Sequence, residues 1–371
     1  LLPSAESLPG ASDDAVANVL LRTAGAGVTA FALGMVLGPI VVRTLKRFRT
    51  QDTTEKVDSQ KLAELSKGKK DTPTMGGVMF LPPLALTVAL FGNLQNQYVT
   101  NALLGTFGFC LIGAFDDVLK LTRRGKSGIS GRGKFALQCG VSIALSIALV
   151  VTMKARATGP DLKQLLSLAI PFTNASLDLS WADGWPFIAF AAVIMVATSN
   201  AVNLTDGLDG LAPGCVIFAA AAFAGIAFAV GRPDYVGHLS THYVRGAQEM
   251  SIVAAALAGT ALAFLWFNAF PAKVFLGDTG SLALGGLLGY IAIVSKQELV
   301  LPIVGGVFVA EALSVILQVA SFKSTGKRIF RCAPLHHHFQ FGGMHEVTIV
   351  VRFWICAALC ALCGLATLKF G

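Results

Sequence analysis

Asp116 and Asp117 stand side by side at the end of an apolar run, with Lys120 one turn later and then Arg123, Arg124, Lys126, Arg132 and Lys134. Carboxylate oxygens are the ligands Mg²⁺ prefers, and ammonium and guanidinium groups pair with phosphate oxygens, so this pattern suits a metal–phosphate site. The bland alternative is a helix-end ion pair beside topology-setting lysines. A second run, Asn203-Leu-Thr-Asp206-Gly-Leu-Asp209-Gly, lies at a break between two apolar segments. Gly207 and Gly210 permit a sharp turn and close approach of backbone to a ligand. Asp206 and Asp209, three apart, would share a face of a helical first turn, where the helix dipole alone would stabilise them. The neighbouring Thr198, Ser199 and Asn200 supply more polar groups than one cap requires. A third run, Gly277-Asp278-Thr-Gly-Ser281, opens an apolar helix. It is not the Asp-Thr-Gly of pepsin-like proteases, which are β-rich and pair two such loops. Asp278 as a simple helix N-cap is its rival reading. Ser281, Gly285 and Gly289, at spacing four, form a small-residue face that predicts close packing on another helix.

His336, His337 and His338 follow Pro334-Leu335. Three consecutive side chains do not easily aim at one ion, and zinc sites favour other spacings even with Cys332 nearby. Hydrogen bonding or charge pairing with an anionic substrate is the expectation. Glu311 and Gln318 lie two turns apart on nearly one face of an apolar segment. Such a pair is costly unless it faces the protein interior or a cavity.

The elements that must position these groups are set by hydropathy. Of the 371 residues 54% are hydrophobic and 13% charged, with mean hydropathy +0.67. A soluble protein carries about twice that charged fraction, so an all-α polytopic membrane protein is expected. The net charge of +8 comes from lysines and arginines scattered among loops between apolar spans, which argues topology and excludes a nucleic-acid partner. Six of the seven cysteines lie in apolar stretches, so no disulfide framework is expected. The first apolar run lacks the flanks of a cleavable signal peptide. Ten candidate spans fall at about 17–42, 74–92, 99–118, 134–153, 185–202, 208–230, 249–270, 281–297, 299–320 and 347–368. One set of alternate loops, 43–73, 119–134, 203–207, 271–280 and 321–346, holds 20 Lys and Arg; the other set with both termini holds 8. The positive-inside rule makes the first set cytoplasmic and both termini periplasmic. All three aspartate runs and the histidines fall on that first set. No repeat or long linker divides residues 1–371, so a single transmembrane catalytic domain is expected.

In this order the motifs resemble the phospho-N-acetylmuramoyl-pentapeptide transferase family of bacterial polyprenyl-phosphate sugar-phosphate transferases. The resemblance rests on Thr72-Pro-Thr-Met-Gly-Gly77, Phe115-Asp-Asp117, the run Asn200 to Ala212, Phe264-Leu-Trp-Phe-Asn268, the run Val274 to Gly286, Gly306 to Gln318, and Pro334-Leu-His-His-His338, with Val351-Arg-Phe-Trp354 and the run Gly364 to Lys369 also fitting. It implies ten helices in the bacterial inner membrane, Mg²⁺ as cofactor, UDP-N-acetylmuramoyl-pentapeptide as donor, undecaprenyl phosphate in the membrane lipid as acceptor, and a homodimer. On these positions it implies Asp116, Asp117 and Asp278 as catalytic, with Asp278 and Asp117 as metal ligands. Lys120, Lys134 and Lys70 would meet phosphate oxygens, and Thr74 and Gln318 would lie on the substrate side. Asn203, Asp206, Asp209, Asn268 and Phe275 would shape the nucleotide pocket, Phe275 as a stacking face for uracil. His336, His337 and His338 would contact the donor's sugar or phosphate. The sequence departs from the family in the linker from Thr50 to Ser66, in Asp71 where glycine is common, and in Gln340 where glutamate is common. Two rivals fit less well. An intramembrane prenyltransferase would carry aspartate-rich helical repeats, and a transporter would carry polar groups near the midplane with repeat symmetry.

Overall fold

In lipid a chain must satisfy its backbone polar groups internally, so long apolar runs become helices. The computed structural model describes residues 13–47, 72–122, 128–173, 175–236 and 242–368. Ten principal helices follow one another: α1 Asp13–Arg47, α2 Leu81–Phe91, α3 Gln97–Thr122, α4 Gly131–Arg156, α5 Trp185–Thr205, α6 Leu211–Val230, α7 Glu249–Asn268, α8 Gly277–Val294, α9 Gly306–Thr325 and α10 Glu346–Ala366. Among the described residues nine segments are long and apolar enough to cross a membrane, and Gly76–Phe91, a 3-10 turn leading into α2, is a shorter tenth. The molecule is thus an all-α polytopic membrane protein. Its β-structure among the described residues is one short hairpin, β1 Ser167–Ala169 against β2 Ser176–Asp178, between α4 and α5. A seven-residue helix, Leu335–Phe341, carries the three histidines.

The spans lie where hydropathy puts them, with two shifted starts. The eighth begins at Gly277, because the polar run Gly277 to Ser281 forms the first turn of α8 instead of a preceding loop. The ninth begins at Gly306, because Leu301–Val304 makes a separate helical turn.

Helix α8 is the axis of the fold. Every residue from Asp278 to Val294 is buried, as expected of a helix that is apolar all round. It packs on α3 and α5, while α7 packs between α1 and α6. The face Ser281, Gly285 and Gly289 meets α5 as its spacing predicts. A Cβ at Gly285 would fall 2.5 Å from the Thr198 carbonyl, and one at Gly289 would fall 3.2 Å from Met195 Cα. On the other side a Cβ at Gly286 would enter the Phe109 ring of α3. At the N-terminal end of α8 the approach is closer still. A Cβ at Gly113 of α3 would overlap the Asp278 carbonyl, and one at Gly77 would overlap the backbone of Gly280. Large apolar residues line the outside, among them Val28, Val36, Leu313, Ile316, Ile355 and Leu359. This places apolar side chains toward lipid and polar ones inward.

At the opposite end from Asp278, polar ties hold the helices. Arg22 of α1 makes two 2.9 Å bonds to Glu249 of α7, which also accepts the Asn93 N–H at 2.8 Å. Lys296 and Glu298 pair at 2.8 Å in a buried turn, with the ammonium 4.3 Å from the Phe187 ring centroid.

Substituting Gly113→Ala or Gly77→Ala must push α3 or the 3-10 turn away from α8, and overpacking of this kind costs about 1–3 kcal/mol. Thermal unfolding in detergent should show a lowered Tm for both. Gly140→Ala, where an added Cβ meets nothing within 4 Å, should leave Tm unchanged or raise it. An unchanged Tm for Gly113→Ala would refute the backbone-contact account.

Candidate active site

The last turns of α3 and the first turn of α8 meet at the Gly113 contact. One turn beyond Gly113, Asp117 reaches the start of α8. Its Oδ2 accepts from Thr279 Oγ1 at 2.6 Å and from the Thr279 N–H at 2.9 Å, and its Oδ1 accepts from the Asp278 N–H at 3.3 Å. The N-terminal N–H groups of a helix have no intrahelical partners, and Asp117 supplies acceptors from another helix. Asp278 is therefore not the N-cap; it lies inside the helix, after Leu276 and Gly277. Its carboxylate is released for Lys120 Nζ at 2.9 Å and Lys134 Nζ at 2.5 Å.

Asp116 faces the other way. Its Oδ1 accepts the Ile129 N–H at 2.6 Å, and its Oδ2 is 2.9 Å from Lys120 and 3.0 Å from Lys134. The three carboxylates are buried and offer oxygens all within 4.8 Å of one another. Two lysines against three aspartates leave the cluster one negative charge in excess. Arg123, Arg124, Lys126 and Lys70 lie outside the described residues.

The second aspartate run borders this cluster. Asp206 and Asp209 do not share a helical first turn, because both precede Leu211, where α6 begins. Asp206 lies near Asp278, Asp117 and Asp209. Protein surrounding the carboxyl, and then those like charges, push its pKa up from 3.8 to about 8. Asn203 Oδ1 accepts from Ser281 Oγ at 2.9 Å. Asp209 Oδ2 accepts the Ala272 N–H at 3.0 Å. Asn268 Oδ1 accepts the Gly210 N–H at 2.9 Å, and its Nδ2 donates to the Val274 carbonyl at 2.8 Å. Asp209 and Asn268 thereby tie the turn at 206–210 to the segment 269–276. Phe275 is partly exposed, with its backbone between Pro73 and Gly76. Thr74 sits against Gly277.

The histidines diverge. His336 is buried, with Nδ1 3.2 Å from Glu311 Oε2. His337 Nδ1 is 3.0 Å from Gln340 Oε1, and His338 Nδ1 accepts the Arg331 N–H at 3.1 Å. Glu311 faces inward, as its position in an apolar helix requires. Gln318 braces the loop between α9 and the histidine helix: it donates to the Phe330 carbonyl at 3.0 Å and accepts from the Ile329 and Phe330 N–H groups. Three contributors escaped the sequence reading. Thr279 lay inside a recognised motif. Trp354, which donates to the Gly210 carbonyl at 3.1 Å, lay in the stretch Val351–Trp354 of the resemblance without a role, and Glu346, which accepts the Asp209 N–H at 2.9 Å, carries no local signal.

Glycosyl transferase family 4 matches residues 99–296, more than half of the chain, and the phospho-N-acetylmuramoyl-pentapeptide-transferase signature 1 matches residues 69–81. The chain belongs to glycosyl transferase family 4. As a member it is a polyprenyl-phosphate sugar-1-phosphate transferase. The described part of this transferase's signature, Thr72 to Leu81, runs beside residues 272–276. Phe275 N–H donates to the Pro73 carbonyl at 2.8 Å, Gly76 N–H to the Phe275 carbonyl at 2.8 Å and Gly77 N–H to the Leu276 carbonyl at 2.9 Å. The signature thus seats the N-terminus of α8 from one side while Asp117 holds it from the other. The cluster fits a divalent ion of the hard class: its donors are all carboxylate oxygens, and Mg²⁺ typically takes one or two carboxylates and completes its shell with water and substrate phosphate. Asp116, Asp117 and Asp278 each offer an oxygen that could hold it.

Two measurements test this site. Asp117→Asn should weaken Mn²⁺ binding, followed by its electron paramagnetic resonance signal, by about tenfold or more. Asp209→Asn, whose carboxylate holds Ala272, should change it far less; equal losses would remove the assignment. Asp206 keeps its proton below about pH 8 in the metal-free transferase, and a nearby cation favours the ionised form. Mn²⁺ should therefore release a proton near pH 7, and its apparent affinity should climb as pH rises through 8 and then level. Asp206→Asn should flatten that climb; an unaltered slope would show that another group titrates.

Proposed function

We propose that this transferase moves phospho-N-acetylmuramoyl-pentapeptide from its UDP-linked donor to undecaprenyl phosphate, releasing UMP and forming lipid I for peptidoglycan and cell-wall biosynthesis. The observation that carries this reading is the Asp116–Asp117–Asp278 cluster with its two lysines, seated by the signature segment against the start of α8. The lipid phosphate oxygen attacks the sugar-bearing phosphorus, and one phosphoanhydride replaces another. Asp117 and Asp278 would hold Mg²⁺, whose charge would offset the negative charge that develops as UMP departs.

The rest of the work belongs to the chain. Lys120 and Lys134, shared between Asp116 and Asp278, exchange carboxylate for phosphate oxygens as the donor arrives, so their positive charge is in place before the reaction. Asp116, its Oδ1 fixed by the Ile129 N–H, orients the acceptor phosphate. That phosphate has a second pKa near 6 and needs little help from a base, which favours direct attack over an aspartyl intermediate. Asn203, Asp206, Asp209, Asn268 and Phe275 form the nucleotide side, with Phe275 against uracil. Thr74 lies at the phosphate side, and His337 and His338 face the sugar or its phosphate. The excess of basic residues on the loops bearing these groups supports a site facing the cytoplasm, with both termini periplasmic. We also propose that the chain acts as one domain and assembles as a homodimer.

Purified transferase, given both substrates, should release UMP only with Mg²⁺, and Asp278→Asn should lower turnover by roughly a hundredfold or more. Full activity in that variant would remove the metal assignment. UMP release with a different UDP-sugar but not with the muramoyl-pentapeptide donor would move the chain to a related sugar-phosphate transfer. Exchange of labelled UMP into donor without lipid would establish a covalent route.

A further inference from the structure

Glu311 is a fully buried carboxylate in α9, a helix that exposes Leu313, Ile316 and Leu317 on its outside. An ionisable group in such a helix is costly unless it is paired. Both of its oxygens go to one residue. Oε1 accepts the His336 backbone N–H at 3.1 Å, and Oε2 lies 3.2 Å from His336 Nδ1, within ion-pair distance but without the alignment of a hydrogen bond. The imidazole is itself fully buried and turns its other nitrogen to Gly207. A Cβ at position 207 would fall on Nε2. Gly207 does not have positive φ, so the volume of the ring, and no special backbone conformation, requires glycine there.

A path of contacts therefore runs from α9 through His336 to the turn Asp206–Gly210. The same turn is held from its other sides by Glu346, Ala272, Asn268 and Trp354. The His337 ring centroid is 4.2 Å from that of His336, so the buried ring also sets where its neighbour lies.

We propose that Glu311 and His336 are positioning residues: they fix the separation between the histidine helix and the Asp206–Gly210 turn, so that recognition of the donor's uridine diphosphate depends on two side chains that do not touch it. This assigns His336 a place behind the pocket wall and leaves substrate contact to His337 and His338. The inference rests on the reading of the donor as a UDP-sugar.

The test uses full-length protein carrying Glu311→Gln, Gly207→Ala, His336→Asn, or Gly207→Ala with His336→Asn. Glu311→Gln and Gly207→Ala should each weaken UMP binding and raise KM for the donor by about tenfold, the scale of one lost hydrogen bond to a charged group. KM for the lipid acceptor should stay within about twofold. In Glu311→Gln, amide exchange should rise together in residues 206–210 and 335–341. The smaller asparagine makes room for the added methyl, so the double variant should lose no more than Gly207→Ala alone. Losses that simply multiply, an acceptor KM that rises with the donor's, or faster exchange confined to one of the two segments would overturn the proposal. If the wild type binds UMP but forms no lipid product, the proposed reaction fails while these readings still decide the strut. If it binds no UMP, the exchange measurement decides it.

Discussion

A helix that begins inside a membrane protein presents N–H groups with no intrahelical partner, and these cannot be left unpaired away from water. Helix α8 begins this way, and the solution is a carboxylate from another helix. Asp117 accepts from the Asp278 N–H, the Thr279 N–H and the Thr279 hydroxyl. The bond set requires α3 to approach α8 backbone to backbone, which glycine at 113 allows. Because Asp117 does the capping, Asp278 does not. Its side chain stays available to lysines at rest, and to whatever cation and phosphate replace them. The chemistry of the site is in this sense a by-product of how one helix start is satisfied.

The surrounding polar contacts extend the same logic. The turn at 206–210 and the segment 269–276 have little regular structure of their own, so their backbone groups are met by Asn268, Asp209 and Glu346. The signature segment meets the backbone of Phe275 and Leu276. Each contact fixes a loop that would otherwise be free to move, and the carboxylate cluster inherits that rigidity. Preorganised charge is what phosphoryl transfer most needs from a protein, because there is little covalent chemistry for side chains to perform.

Hydropathy made the spans legible, since the requirement for helices in lipid leaves few alternatives, and the small-residue face of α8 was readable as close packing. The aspartate runs were readable because ionisable groups at the ends of apolar helices need a reason. What stayed hidden depends on which helix meets which. Nothing local to Asp278 says that Asp117 has taken the capping role, and the Asp-x-x-Asp spacing of 206 and 209 suggests a helix face that does not form, because Gly210 at φ 81 breaks the chain before Leu211. Gln318 reads as a pocket residue until the loop it braces is placed. Glu346 and Trp354 sit far along the chain from the turn they support, and nothing local to either points to that turn.

The repeated residues in this chain gain their meaning from helix geometry. Neighbours on an α-helix point about 100° apart, so a doublet of one residue type addresses two different partners. Asp117 turns to α8 while Asp116 turns to Ile129 and the lysines. The three histidines divide likewise: one goes inward to Glu311, one to Gln340 and one to the backbone of Arg331. Three consecutive histidines invite the idea of shared ligation of one ion, yet their directions on this short helix forbid it. In both runs one member is fixed by the fold, Asp117 by the start of α8 and His336 by Glu311, and that anchoring determines where its neighbours can point. Copies of one side chain with different partners are thus adjacent in sequence, and only the packing partner tells them apart.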